Sequence, residues 1–256
     1  MPSDPHLPSL AEDRSPEGTR EAPRASLGCF LGAGSDRFPR GADSGPTSVR
    51  SPPVALDLTV RAQRGLARLL PSLICGEESA AIVFGSESER PGPLLPSGGH
   101  RALERIARDE AAHERMLRGL EIGLPPAPDL AEIQRRARRF FVRVATRSEG
   151  PSHFARIAEL DACVCVILGA VLAAPVARCA GVREPFALIR RDEVRHVAVS
   201  RRYVAWLGGG PDASRRAAEW VRPELVAVLA HVSDAFDDLE VDPDDLLRRI
   251  RDGAGA

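Results

Sequence analysis

The sequence contains no lysine and no asparagine, so every basic side chain is an arginine or a histidine. This residue usage indicates a high-GC bacterial genome. Aromatic residues make up only 4% of the chain, whereas alanine, leucine, valine and arginine are abundant, which favours helix over sheet. The net charge of −1 gives no excess of positive charge for phosphate backbones, so we expect no nucleic-acid partner.

Disulfide and membrane signals are also missing. The five cysteines form no CxxC pair and no zinc-ligand spacing, and an odd number of them suits a reducing cytoplasm better than a disulfide framework. The N-terminus has no basic segment followed by an apolar stretch, so we expect no signal peptide. The most apolar run, residues 162–177, has 16 residues and includes Pro175, which predicts a buried helix and no membrane partner.

Composition divides the chain into a tail and a helical domain. Residues 1–52 are rich in Pro, Ser, Gly, Arg and Asp and have no hydrophobic periodicity, which predicts a disordered tail. Residues 53–252 form the predicted domain, in which Pro71 should kink or break the first helix. Apolar periodicity predicts five long helices, at 54–84, 100–121, 130–146, 151–177 and 184–207. Shorter helices follow, and Asp242 with Pro243 marks the start of the last one.

Two Glu-x-x-His pairs are the most informative feature of the chain. A glutamate precedes the Glu of the first pair by 33 residues and that of the second by 34 residues. Residues three apart share one helix face, so each Glu and His can reach the same point. Four helices that point these side chains inward would make a two-metal site. The six candidate ligands are Glu77, Glu110, His113, Glu159, Glu193 and His196.

The ligand chemistry predicts which metals such a site would bind. Burying an unpaired carboxylate is costly, and four buried together would repel one another. Two divalent cations would balance the four carboxylates, and two neutral imidazoles would complete the ligand set. Oxygen-rich ligation with one imidazole per metal suits iron or manganese better than zinc or copper. We therefore predict two Fe ions; Mn/Fe and Mn/Mn pairs use the same ligand types.

Two ligand positions have a competing neighbour. Glu77 competes with Glu78, and the apolar stripe of the first helix favours Glu77 because only one of two adjacent residues can point fully inward. Glu159 competes with Asp161, and Glu78 and Asp161 are the candidates for outer positions next to the metal ligands. These alternatives remain open from the sequence.

The motifs resemble a known protein superfamily. They read GEESAA (76–81), RDEAAH (108–113), AELDAC (158–163) and RDEVRH (191–196). This order is similar to the Glu…DExxH…Glu…DExRH pattern of ferritin-like di-iron carboxylate proteins, which include ribonucleotide reductase small subunits, bacterial di-iron monooxygenases and acyl-carrier desaturases. The resemblance covers about residues 55–207. It implies an all-α, ferritin-like four-helix bundle with a crossover helix and extra C-terminal helices.

The resemblance also implies roles for individual residues. Glu110 and Glu193 match the bridging carboxylates of the family. Asp109 and Asp192 match its acidic residue that orients a ligand histidine, and Arg195 matches the arginine that supports this outer layer. The alternative for Asp109, Asp192 and Arg195 is an ordinary charged helix surface.

The activity that the resemblance implies is O₂-dependent oxidation of an organic substrate by hydroxylation, N-oxygenation or desaturation. We expect a small-molecule or carrier-bound substrate and a homodimer. An external electron donor is expected because the chain has no dinucleotide-binding fingerprint. The alternatives are a ferroxidase or iron-handling protein and a non-catalytic ferritin-like protein.

Overall fold

A computed structural model describes residues 56–90, 98–146 and 150–253. All of them belong to the compact unit Ser51–Ala256. Their regular structure is entirely helical, with eight α-helices and one 3-10 turn, so the predicted all-α class is confirmed. The predicted tail, residues 1–52, lies outside the described residues.

The observed helices follow the predicted order with shifted ends. They are Val60–Ser88 (α1), Gly99–Glu121 (α2), Leu130–Ala145 (α3), Ser152–Ala173 (α4), Ala180–Trp206 (α5), Pro211–Ala230 (α6), Ser233–Asp238 (α7) and Pro243–Asp252 (α8). The first helix begins at Val60 because the Thr59 side chain accepts a hydrogen bond from the Ala62 backbone N–H and caps it. The last helix begins where predicted, since Asp242 accepts hydrogen bonds from the N–H groups of Asp244 and Asp245.

Two prolines act differently from one another. The first helix continues through Pro71, so the predicted break does not occur there. Leu69, Leu70 and Pro71 are all buried, and the apolar surface that they bury offsets the roughly 3 kcal/mol that a helix-interior proline costs. Pro175, by contrast, ends the fourth helix early. The residue before it, Ala174, is extended, and the chain continues as a 3-10 turn over Pro175–Arg178.

The first two helices form an antiparallel pair. Near one end, His100 Nδ1 of α2 lies 2.7 Å from the Ser88 carbonyl oxygen of α1. Farther along, His113 Nδ1 lies 3.2 Å from Glu77 Oε2. Sequence numbers therefore rise along one helix as they fall along the other, which brings the motif residues of α1 and α2 to the same level.

The fourth and fifth helices form a second antiparallel pair. The rings of Phe154 and Tyr203 stack with their centroids 4.7 Å apart. Toward the other end, Arg190 Nε donates to the Cys165 carbonyl oxygen at 3.4 Å. The helix α2 also packs on α5, so the two pairs meet through the helices that carry the Glu-x-x-His motifs.

The other helices cover these two pairs. The helix α3, which connects them in the chain, packs on α1 through a face that includes buried Phe140 and Phe141. The helix α6 packs on α4, α7 packs on α1, and α8 contacts both α4 and α6. This arrangement buries the inner faces of α1 and α4.

Among the described helices, α1 is the one long and apolar enough to cross a membrane by length and composition. Half of its most apolar stretch is buried within the protein.

Candidate metal centre

Four helices bring six acidic and histidine side chains into one buried cluster. None of the six residues is more than 6% exposed: Glu77, Glu110, His113, Asp161, Glu193 and His196. One ligand atom from each of Glu77, Glu110, His113 and Glu193 lies within 4.8 Å of the others, so this group could hold a metal ion. The cluster is the meeting point of α1, α2, α4 and α5.

The ring of His113 is surrounded by carboxylates. Its Nδ1 atom lies 3.2 Å from Glu77 Oε2, 3.4 Å from Glu110 Oε2 and 3.6 Å from Glu193 Oε1. On the other side of the ring, Nε2 lies 3.3 Å from Asp192 Oδ2 on α5. One ring nitrogen thus faces the cluster, and the other faces an outer carboxylate on the neighbouring helix.

The ring of His196 repeats this arrangement from the other side. Its Nδ1 atom lies 3.0 Å from Glu110 Oε1 and 3.6 Å from Glu193 Oε1, and its Nε2 atom lies 3.7 Å from Asp109 Oδ2 on α2. The two imidazole rings stack with centroids 5.9 Å apart. Glu110 and Glu193 therefore both lie between the two histidines, so the duplicated sequence motif corresponds to a local twofold arrangement.

An arginine connects the two outer carboxylates. Arg195 Nη2 donates to Asp109 Oδ2 at 2.7 Å, and Nη1 donates to Asp192 Oδ1 at 3.2 Å. These contacts place all three residues beside the imidazoles rather than on a separate charged surface. Asp192 can accept the Nε2–H of His113 and so fix the orientation of that ring, whereas Asp109 lies 3.7 Å from His196 Nε2, just beyond hydrogen-bond distance.

The observed position of Glu159 differs from its predicted one. Its Oε1 atom accepts a hydrogen bond from Arg222 Nε at 2.6 Å, and its side chain lines a different cavity. Asp161 instead lines the cavity that Glu77 and Glu110 border. Two residues apart on a helix means about 200° of rotation, so Glu159 and Asp161 cannot both face the cluster.

Of the two adjacent glutamates of α1, the one that faces the cluster is the one that the apolar stripe favours. Glu77 is 6% exposed and faces the cluster. Glu78, which was also a candidate for an outer position, is exposed on the surface.

Burial and mutual repulsion raise the pKa values of three acids in the cluster. Burial raises the pKa of Glu77 well above its usual range, and the charge of Glu110 raises it further. Burial likewise raises the pKa of Asp161, with added repulsion from Glu193. For Glu193, burial and then the charge of Glu110 raise the pKa to about 7. The site therefore accommodates its acids poorly without bound protons or cations.

Contact with the imidazoles has the opposite effect on one acid. Burial acts to raise the pKa of Glu110, but the facing rings of His113 and His196 lower it to about 2. Burial acts to lower the pKa of each histidine, but the facing carboxylates raise that of His113 to about 10 and that of His196 to about 11. With pKa values this high, the two imidazoles are protonated and hold positive charge among the carboxylates. A metal cation would supply positive charge at the same place.

Several buried atoms of the cluster lack a hydrogen-bond partner among the described residues. They are both carboxylate oxygens of Glu110, Oδ2 of Asp161, and both ring nitrogens of His196. Such orphans are rare in folded proteins, where buried polar atoms are nearly always paired. A cavity of about 40 Å³ lies among Glu77, Glu110, Asp161 and Glu193. The donor set, the space and the unmet oxygen and nitrogen atoms all fit divalent cations.

No family model, curated protein or solved structure matches this chain. The assignment of a function therefore rests on the site itself.

Proposed function

We propose that this chain is a ferritin-like di-iron protein that uses O₂ to oxidise an organic substrate. The observation that supports the proposal is the buried cluster of four carboxylates and two imidazoles, which contains orphaned polar atoms. The proposed ligands are Glu77 and His113 at one metal, Asp161 and His196 at the other, and Glu110 and Glu193 between the two. Asp161 replaces Glu159 in this set.

A pair of iron ions bound there would supply the electrons that reduce O₂. The protein contributes the orientation of the ligands. Asp192 can accept the Nε2–H of His113 at 3.3 Å, and Asp109 faces Nε2 of His196 at the longer distance of 3.7 Å. With a metal bound, the hydrogen bond to Asp192 would keep the proton of His113 on Nε2 and leave its Nδ1 lone pair directed at the cluster. Arg195 holds both aspartates in place.

The surroundings of the cluster favour a small apolar reactant. A second cavity of about 30 Å³ shares the carboxylate of Asp161 and four apolar residues with the first and continues between α1, α3 and α4; the four are Gly76, Ala80, Phe141 and Leu160. These walls keep bulk water away from the carboxylates and suit a molecule the size of O₂. An organic substrate needs more room. Phe141 lines both cavities and packs directly on Gly76, where an added Cβ would lie 3.0 Å from its ring, so we propose that Phe141 moves to admit a substrate.

The remaining parts of the proposal follow from the sequence. We propose an external electron donor and a small-molecule or carrier-bound substrate. We also propose that the protein is a homodimer and is located in the cytoplasm.

Metal analysis of the purified full-length chain tests the proposal. After iron-supplemented expression, we expect close to two metal ions per chain, with Mössbauer and EPR spectra that separate iron from manganese. Glu110→Ala and His196→Ala should lose most of the metal. The matched control is Glu78→Ala, which changes an exposed acid next to a ligand and should leave the metal content unchanged.

The reaction with O₂ is tested on the loaded protein in an oxygen electrode with a chemical reductant. We expect O₂ consumption that is lost in Glu110→Ala. Wild-type protein without bound metal would contradict the metal centre itself. Uptake of tens of irons per chain would indicate iron storage instead, and two bound metals without O₂ consumption would contradict the oxidase activity.

A further inference from the structure

A second polar cavity lies on the opposite face of α4, where α4, α5, α6 and α8 meet. Its volume is about 100 Å³, and three arginines line it together with one carboxylate: Arg201, Arg222, Arg249 and Glu159. Three different helices supply the three arginines. We propose that this cavity binds a phosphate group.

The charges around the cavity do not cancel. Glu159 accepts a hydrogen bond from Arg222 Nε at 2.6 Å, and this is its one ion pair among the described residues. Arg201 has no carboxylate within ion-pair distance in the described part of the chain. Among the described residues, the carboxylate oxygen nearest to Arg249 belongs to Asp245, 3.9 Å from Nη1, and Asp245 also pairs with Arg248. The cavity therefore keeps an excess of positive charge that suits an anion.

Guanidinium groups are well matched to phosphate. Their planar N–H groups bind two oxygens at once, and several guanidiniums can share a tetrahedral oxyanion. Among the described residues, Arg222 uses only Nε for its hydrogen bond, so its Nη groups keep donor capacity. A void of roughly 10–15 Å³ already holds one water molecule, so a cavity of this size has room for an oxyanion.

The backbone at the rim leaves space for the guanidinium of Arg222. Gly253 has a φ of +83°, a conformation that favours glycine, and a Cβ there would lie 2.5 Å from Arg222 Nη1. A larger residue at Gly253 would displace the arginine, so the rim and the basic cluster fit together.

The test measures phosphate binding to the metal-loaded, full-length protein by isothermal titration calorimetry. The probe is inorganic phosphate, with chloride at equal ionic strength as the reference. Arg201→Gln should weaken phosphate binding at least about tenfold, the loss expected for a charge-assisted hydrogen bond. The matched control is Arg202→Gln: Arg201 and Arg202 are both exposed arginines, but Arg202 does not line the cavity, so this variant should bind phosphate as the wild type does.

A second variant should change the affinity in the opposite direction. Glu159→Gln removes the carboxylate that competes for Arg222, so phosphate should bind more tightly than in the wild type. Phosphate is also a ligand for iron, and Glu110→Ala controls for that route because it disrupts the proposed metal centre without touching the arginine cavity. Its phosphate affinity should remain that of the wild type.

Two probes identify the source of the phosphate group. Binding of both inorganic phosphate and glycerol 3-phosphate would identify a phosphomonoester ligand, and binding of inorganic phosphate alone would identify free phosphate. Equal affinities of Arg201→Gln and Arg202→Gln would overturn the proposal. So would weaker binding by Glu159→Gln, or loss of binding in Glu110→Ala, which would place the phosphate at the metals.

Discussion

Replacing Glu159 and Asp161 one at a time would decide which face of α4 carries a metal ligand. Asp161→Asn keeps the size of a buried side chain that borders the metal cavity and removes its charge. Glu159→Gln makes the same chemical change on the face that pairs with Arg222. We expect Asp161→Asn to lose metal and Glu159→Gln to retain it.

The two variants should also differ in stability. The ion pair between Glu159 and Arg222 is 2.6 Å long, and the two side chains are 13% and 25% exposed. This exposure places it between exposed pairs, worth about 0–1 kcal/mol, and buried pairs, whose disruption costs about 3–5 kcal/mol. A loss of about 1–2 kcal/mol follows for Glu159→Gln. At about 2–4 °C per kcal/mol for a domain of this size, its melting temperature should fall by roughly 2–8 °C.

Asp161→Asn should have the opposite effect in metal-free protein. Burial raises the pKa of Asp161 in the folded state. As the pH rises, the unfolded chain therefore loses the proton of Asp161 at a lower pH than the folded protein does. Each pH unit between the unfolded and folded pKa values then removes about 1.4 kcal/mol of stability. Asparagine does not titrate. Metal-free Asp161→Asn should therefore be more stable than metal-free wild type at pH 7, and this difference should vanish near pH 4.

Metal content by mass spectrometry, and melting curves of loaded and chelator-treated protein between pH 4 and pH 7, would measure these effects. Loss of metal from Glu159→Gln together with retention in Asp161→Asn would refute the assignment of the two faces. A metal-free Asp161→Asn protein that melts below the wild type at pH 7 would refute the electrostatic argument.

Three further changes test other parts of the structure. Gly65→Ala should destabilise the protein by about 1–3 kcal/mol in urea titrations, because the added Cβ would lie 2.8 Å from the Ala235 carbonyl oxygen and push α7 away from α1; unchanged stability would show that α7 adjusts freely. Glu77→Gln should reduce metal content more than Glu78→Gln, and the reverse ranking would mean that α1 is rotated. A hydrogen bond and ion pair with Arg64 lower the pKa of Asp238, so its stabilising effect is present above the unfolded pKa of about 3.9 and is lost as the pH falls through the folded value. Asp238→Asn should therefore be less stable than the wild type at pH 7, and the gap should close toward pH 2.

The sequence predicted the inward face of a helix best where that helix has a distinct apolar stripe. In α2, Leu103, Ile106 and Leu117 are buried together with Glu110 and His113. Their spacing of three, four and seven residues fixes the rotation of the helix, so the inward direction of the ligands could be read from the pattern. The Glu-x-x-His motif on α5 was predictable in the same way, and its Glu193 and His196 are also buried. The rotation of α1 was also predictable, since Glu77 continues the stripe of buried leucines.

The fourth helix offers no such stripe. Apolar residues occur on most of its sides because α5, α6 and α8 surround it, so periodicity does not separate an inner face from an outer one. The partner of Glu159, Arg222, lies 63 residues farther along the chain and reaches it only through the packing of α6 on α4. A contact of that range leaves no local signal, which explains why the sequence could not show that Glu159 is already paired.

The spacing of the motifs fits Asp161 as well as it fits Glu159. Glu77 precedes Glu110 by 33 residues, and Glu159 precedes Glu193 by 34, but Asp161 precedes Glu193 by 32. Both alternatives differ from the first half by one residue, so the duplication supports either one. The preference for Glu159 depended on matching a glutamate to a glutamate. A two-metal site requires a carboxylate on the correct helix face, and an aspartate there meets that requirement while a glutamate about 200° away does not.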